Sequence, residues 1–201
     1  MPAATTTRQQ IVDAADRLFY SQGVANTSFA HVAEAVGISR GNFYHHFRSK
    51  DEILDAVIAQ RLAGTEAVLA AWQAAGEAPA ERLRFFVHML IDNQAPIMAH
   101  GCPVGSLCAE LAKLDHPALG AARGLFALFR DWLSNEFARA GLGREAPGLA
   151  MHLLARSQGI AVMAQTFRDP AFIAAEVLLL EAWLAEVLTP AARVRQPPAA
   201  A

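Results

Sequence analysis

Residues 38–50 read ISRGNFYHHFRSK: three cations (Arg40, Arg48, Lys50), two serines, an asparagine, three aromatics and two adjacent histidines, with no acid before Asp51. Such a set suits contact with phosphate and base edges better than proton or acyl transfer. Arg40 pairs well with guanine O6 and N7, and Asn42 can donate and accept at a base. Gly41 has no side chain, so the backbone approaches a duplex closely there. Tyr44 and His45 can bond phosphate, and Lys50 can neutralise one. Phe43 and Phe47 stand four apart, on one helical face, and are expected to pack inward. The plain alternative is a solvated basic face above core aromatics.

A second chemical stretch is HGCPVGSLCAEL, residues 100–111. Cys102 stands just before a helix, whose N-terminal dipole favours a thiolate, and His100 adds positive charge when protonated. Against this, Cys102 and Cys108 also read as small buried hydrophobes. A disulfide between them would distort the helix start. His100, Cys102 and Cys108 are too few for a structural metal site without a fourth ligand. His45 and His46 point roughly 100° apart on a helix. No metal and no cofactor are therefore expected. No GxSxG, P-loop or HExxH stretch is present, and His100 is too near Cys102 in sequence to serve easily as its base. The chain is not expected to be an enzyme, with a thiol-dependent one as the remote alternative.

These residues must be positioned by helices. Alanine and leucine dominate, β-branched residues are scattered, and Asn-Gly and Asp-Gly hairpin signals are absent, which favours an all-α fold. Ile11, Ala14, Ala15, Leu18 and Phe19 make one apolar face of a first helix over about 7–21, ended by Gly23. Thr27 or Ser28 caps a second helix with Phe29, Val32, Ala33 and Val36 inward. Gly37 breaks it, and Ser39 caps a short third helix over about 40–47. Two short helices joined by a tight turn, after a longer one, make a helix-turn-helix unit whose third helix is the candidate for a major groove. Ser49 caps a fourth helix with Asp51 and Glu52 in its first turn, running to about residue 75. Further helices are expected over about 80–98, 104–113, 115–141, 148–167 and 170–188. This gives a helix-turn-helix domain over 1–52, a C-terminal helical bundle over 53–190 and a disordered tail over 191–201.

The chain has 201 residues, 54% of them hydrophobic, enough for a real core. Formal net charge is −2, which argues against gross affinity for nucleic acid. The first sixty residues hold five cations and six acids, but 38–50 hold cations alone. The opening MPAATTTRQQ has no apolar signal core, and no uncharged apolar run nears the roughly 20 residues a membrane span needs. A cytoplasmic protein with no membrane partner, its cysteines as thiols, is the expectation.

Residues 8–54 resemble the N-terminal domain of the TetR family of transcriptional repressors. The resemblance rests on Gly23, Thr27-Ser28, Val32-Ala33, Gly37-Ile38-Ser39, Gly41, Phe43-Tyr44-His45-His46-Phe47 and Ser49-Lys50. It covers about a quarter of the chain. It implies DNA contacts for Thr27, Ser28, Ser39, Arg40, Gly41, Asn42, Tyr44, His45 and Lys50. Arg40 stands where many members carry lysine, so base preference does not transfer. The stretch 100–111 is similar to the Gly-Cys-then-helix segment of members related to the LmrA/YxaF repressors and to the electrophile-sensing repressor of N-ethylmaleimide reductase. That likeness implies a cysteine sensor at Cys102 as an alternative mode of response.

The resemblance further implies a homodimer through the last two helices, a palindromic double-stranded DNA operator, and release by a small-molecule effector. The eighth helix carries small residues at Ala155, Ser157, Gly159, Ala161 and Ala164, and the ninth a stripe of Ile173, Val177, Leu180, Leu184 and Leu188; these read as a dimer face or as ordinary core. For the effector pocket the candidates are Trp72, Phe85, Phe86, Met89, Asn93, Met98, His100, Cys102, Leu107, Phe126 and Phe129, with His88 and Gln94 as further polar handles and Leu111 and Trp132 among the large side chains nearby. Composition alone does not separate such a lining from solid core.

Overall fold

The structure, a computed structural model, describes residues 6–189; the tail expected over 191–201 lies outside them. Ten helices and no strand occupy the described residues: α1 (Thr7–Gln22), α2 (Phe29–Val36), α3 (Arg40–His46), α4 (Lys50–Ala75), α5 (Pro79–Asp92), α6 (Gln94–His100), α7 (Pro103–Lys113), α8 (Leu119–Arg139), α9 (Ala146–Phe167) and α10 (Pro170–Leu188). Among the described residues no helix is long and apolar enough to cross a membrane.

The starts of the first four helices are set by side-chain caps. Thr6 accepts from the Gln9 amide at α1 and Ser28 from His31 at α2. Ser39 accepts from Asn42 at α3, and Ser49 from Glu52 at α4. One expected helix, over 80–98, is two. Pro96 has no N–H for the Asp92 carbonyl four residues back, and its ring crowds that carbonyl. The chain breaks at Asn93, whose amide side chain donates to Met89 O at 2.9 Å.

The chain divides into two compact units: Met1–Glu66 with Cys102–Phe126, and Ala67–Gly101 with Ala127–Ala201. The boundary expected between residues 52 and 53 falls inside α4. The first unit has a core of Ile11, Phe19, Val32, Phe43, Phe47, Leu54 and Ile58, and Leu107 and Leu111 of α7 belong to it. A unit of α1, α2 and α3 alone would bury little apolar surface, and α7 enlarges what they pack on.

In the second unit α10 lies against α5 and α9, and α6 against α9. Its core includes Leu83, Phe86, Val87, Leu133, Phe137 and Ile160. A buried ion pair, Arg82 Nε to Glu136 Oε2 at 2.6 Å, is completed by Arg139 on the other Glu136 oxygen and by Gly76 O on Arg82. The stripe Ile173, Val177, Leu180 and Leu184 is buried here. It is therefore intrachain core, not the free face one reading gave it; so are Ser157, Ala161 and Ala164. The faces left open carry other residues: Ala155, Gly159, Val162, Met163 and Phe167 on α9, and Ala175, Leu178, Leu179 and Ala182 on α10.

Candidate nucleic-acid interface

α3 has two sides. Phe43 and Phe47 are each 1% exposed and anchor it to the core. Arg40, Gly41, Asn42, Tyr44 and His45 face solvent. Phe29 of α2 meets Phe43 edge-on at 5.1 Å and Tyr44 at 5.7 Å between ring centroids. These contacts hold the Tyr44 ring while it remains 54% exposed. Ser28, Phe29, Ala33, Arg40, Phe43 and Tyr44 are among the walls of a cavity of about 260 Å³ between α2 and α3. Arg8, which sequence reasoning did not single out, places its guanidinium 4.6 Å from the Phe47 ring centroid and adds a cation beside α3.

The flanking groups are more tightly tied. Ser28 and His31 form a reciprocal cap: Ser28 Oγ accepts from the His31 amide at 3.2 Å, and His31 Nδ1 accepts from the Ser28 amide at 3.3 Å. Histidine here plays the part usually taken by Glu or Gln. Ser39 Oγ accepts from the Asn42 amide at 3.3 Å. Thr27 departs from expectation. It is 2% exposed, its hydroxyl donates to Gly23 O at 2.7 Å, and it accepts from Nε2 of the Gln22 side chain. Its side chain fixes the turn from within and is not offered to a phosphate. Lys50 is half-buried and its Nζ donates to Val24 O at 3.0 Å, which leaves two of its three N–H donors.

That turn is also gripped from α7. Glu110 accepts from the Val24 amide at 2.9 Å and the Ala25 amide at 2.7 Å. Gly23, at φ 88°, permits this, since a Cβ there would stand 3.0 Å from a Glu110 oxygen. At its head α7 is capped by Cys102, whose Sγ accepts from the Gly105 amide at 3.4 Å. Both cysteines are half-buried free thiols. Burial pushes the Cys108 thiol up, with Cys102 adding to this and Arg123 and Arg61 opposing it. Tyr20 in the same unit is pushed up to about 12, by burial first and Cys102 second, against Arg61. Among the described residues no cluster of His, Cys, Asp and Glu is fit to hold a metal ion.

The model of the family "Bacterial regulatory proteins, tetR family" matches residues 11–57, which hold this cap-and-anchor arrangement. The HTH-type transcriptional regulator BetI of Burkholderia thailandensis is 32% identical over 160 residues, 65% of this chain and 82% of that protein. The chain belongs to the TetR family of transcriptional regulators. TtgR of Pseudomonas putida, an HTH-type transcriptional regulator, is 47% identical over 55 residues, 27% of this chain. The chain matches only about a quarter (26%) of TtgR's length. The TetR transcriptional regulator structure from Legionella pneumophila shares the fold at a TM-score of 0.79 and 20% identity, covering 93% of this chain and 100% of that one.

In this TetR-family chain the residues expected to line an effector site are divided. Cys102, Leu107 and Phe126 fall in the first unit, and Leu107, at 5% exposure, is part of its core. Trp72, Phe85, Phe86, Met89, Asn93, Met98, His100 and Phe129 fall in the second. There Phe86 and Phe129 meet edge-on at 5.7 Å, and Trp72 meets Trp132 at 5.6 Å. Asn93 is exposed and turned to its own helix, so it is no lining group. His88, one of the further handles, bonds Glu181 at 2.7 Å. Trp132 Nε1 is buried and makes no hydrogen bond among the described residues.

Proposed function

We propose that the protein binds a palindromic double-stranded DNA operator as a homodimer, represses transcription there, and is released by a small effector bound in its second unit. The observation that carries this reading is the two-sidedness of α3: Arg40, Asn42, Tyr44 and His45 outward, Phe43 and Phe47 locked beneath. A short helix so anchored presents its first turn to a groove. Arg40 reads a base edge, Tyr44 and His45 meet phosphate, and Ser28, Ser39 and Lys50 flank them. Two copies related by a two-fold axis read two half-sites.

For the effector, the aromatic groups around Trp72, Phe86, Phe129 and Trp132 supply apolar surface. The ionic groups Arg82, Glu136 and Arg139 already satisfy one another, whereas the Trp132 N–H does not find an acceptor. This favours an uncharged, flat ligand carrying a hydrogen-bond acceptor. A ligand that binds better to a state whose recognition helices no longer fit the operator shifts the population toward it.

The test is fluorescence anisotropy on the DNA flanking the protein's own gene, over a range of salt. Lys50→Ala is expected to weaken binding to every sequence and to reduce the salt slope by about 1, whereas Arg40→Ala changes base preference. Equal losses on every operator variant for both would remove the base-reading role of Arg40. Binding with no salt dependence would remove the DNA reading altogether.

A second reading, a cysteine sensor, is favoured by the place of Cys102 at the head of α7 with an amide bond to its sulfur. If it holds, a mild thiol-reactive electrophile releases the wild type from DNA and leaves Cys102→Ser bound. Release of both proteins alike would sink it.

A further inference from the structure

The turn between α1 and α2 is held from outside the helix-turn-helix segment. The amides of Val24 and Ala25 both end on the Glu110 carboxylate, 86 and 85 residues away in sequence respectively. Lys50 Nζ donates to the Val24 carbonyl, and within the turn the Thr27 hydroxyl donates to Gly23 O. Residues 23, 24, 25 and 27 thus each have at least one polar group committed. The cap of α2, Ser28, follows directly. The other end of α7 is also fastened: Arg61 of α4 donates to Pro103 O at 2.7 Å and to Asp16 of α1 at 2.6 Å. α7 is strapped at its head to α1 through Arg61 and at its tail to the α1–α2 turn through Glu110.

We propose that Glu110 is a positioning residue for DNA recognition, the latch through which α7 sets the pose of α2 and α3. The assignment rests on the DNA-binding reading above. Two amides on one carboxylate fix the turn in position and in rotation, which a single bond does not. The turn in turn sets where α2 begins, and α2 carries Phe29, the ring that steadies both Phe43 and Tyr44. A displacement of α7 therefore has a direct polar route to the reading surface. Apolar contacts, by contrast, slide. The small residue at 23 belongs to the same device, because any Cβ there meets the Glu110 carboxylate.

The experiment uses the full chain with Glu110→Ala, Glu110→Asp and Leu111→Ala. Leu111 is the neighbouring fully buried residue, and its truncation loosens α7 packing without removing the amide bonds. Two quantities are read: hydrogen exchange at the amides of Val24 and Ala25, and affinity for the DNA flanking the gene. Glu110→Ala is expected to speed exchange at both amides and weaken binding about tenfold, with the salt slope unchanged because no phosphate contact is lost. Glu110→Asp, one methylene short, falls between. Leu111→Ala lowers the unfolding midpoint and keeps the affinity. The proposal is overturned if Glu110→Ala binds like wild type, or if Leu111→Ala loses as much affinity as Glu110→Ala. A wild-type chain that does not bind DNA overturns it together with the reading it rests on, and is recognised without any variant.

Discussion

Tyr20 shows what burial does to a single residue here. Its phenol is pushed up to about 12 from an ordinary 10.0, by burial first, then by Cys102, with Arg61 opposing. Below pH 10 folded and unfolded chains both hold this proton. Above it the unfolded chain loses the proton and the folded one keeps it, so stability falls as pH rises through the window from 10 to about 12 and levels off beyond. Urea unfolding at about pH 9 and about pH 11 should show a larger loss in wild type than in Tyr20→Phe; equal losses would mean that the phenol is not buried in solution. The exposed and buried sides of α3 were largely legible in the sequence. Phe43 and Phe47 are four apart on a short helix and can only both be inside. Thr27 was not legible. A threonine beside a serine at a helix start suggests two cap groups, and only the turn geometry decides that one of them points inward to Gly23 O.

Among the elements, caps and breakers were readable where the signal is local. α4 and α10 end where alanine- and leucine-rich periodicity gives out, and α3 starts at its serine. The break between α5 and α6 was missed because Gln94 to His100 keeps apolar residues coming, and Pro96 acts four residues upstream of itself, on the Asp92 carbonyl. Partners far apart in sequence were invisible. Nothing near Arg82 announces that it will lie buried against Glu136, 54 residues on. The close approach that this requires makes a test. A Cβ at Gly76 would stand 2.5 Å from Arg82 Cγ and 3.1 Å from the Phe85 ring. Gly76→Ala should therefore destabilise the protein by about 1–3 kcal/mol, read as a lowered midpoint in thermal unfolding by circular dichroism. An unchanged midpoint would mean that the Arg82 stem is free to move and that the ion pair does not hold α5 in one place.

For the whole molecule the question is which surface would join two copies in the proposed homodimer. Periodicity identified apolar stripes on the last two helices but not which stripe the chain keeps for itself. Helices with an apolar stripe on more than one face leave that choice to packing. α10 turns Ile173, Val177, Leu180 and Leu184 to its own core. Its other side is Leu178, 66% exposed, and Leu179, 55% exposed, flanked by alanines; α9 similarly leaves Val162 54% and Phe167 71% exposed. Such a run of large apolar groups among small ones is unusual on a monomer and fits close backbone approach by a second copy. Leu178→Glu should then place an unpaired charge inside the interface, raise the dimer dissociation constant roughly a hundredfold or more, and cost operator binding, because a monomer reads a single half-site. The helix content should stay the same, since Leu178 is mostly exposed. Analytical ultracentrifugation decides it. A dissociated, folded Leu178→Glu chain that has lost operator affinity supports this face as the one that pairs the recognition helices. A Leu178→Glu chain that stays dimeric puts the interface on another surface, and the spacing of the two half-sites must then be argued from there.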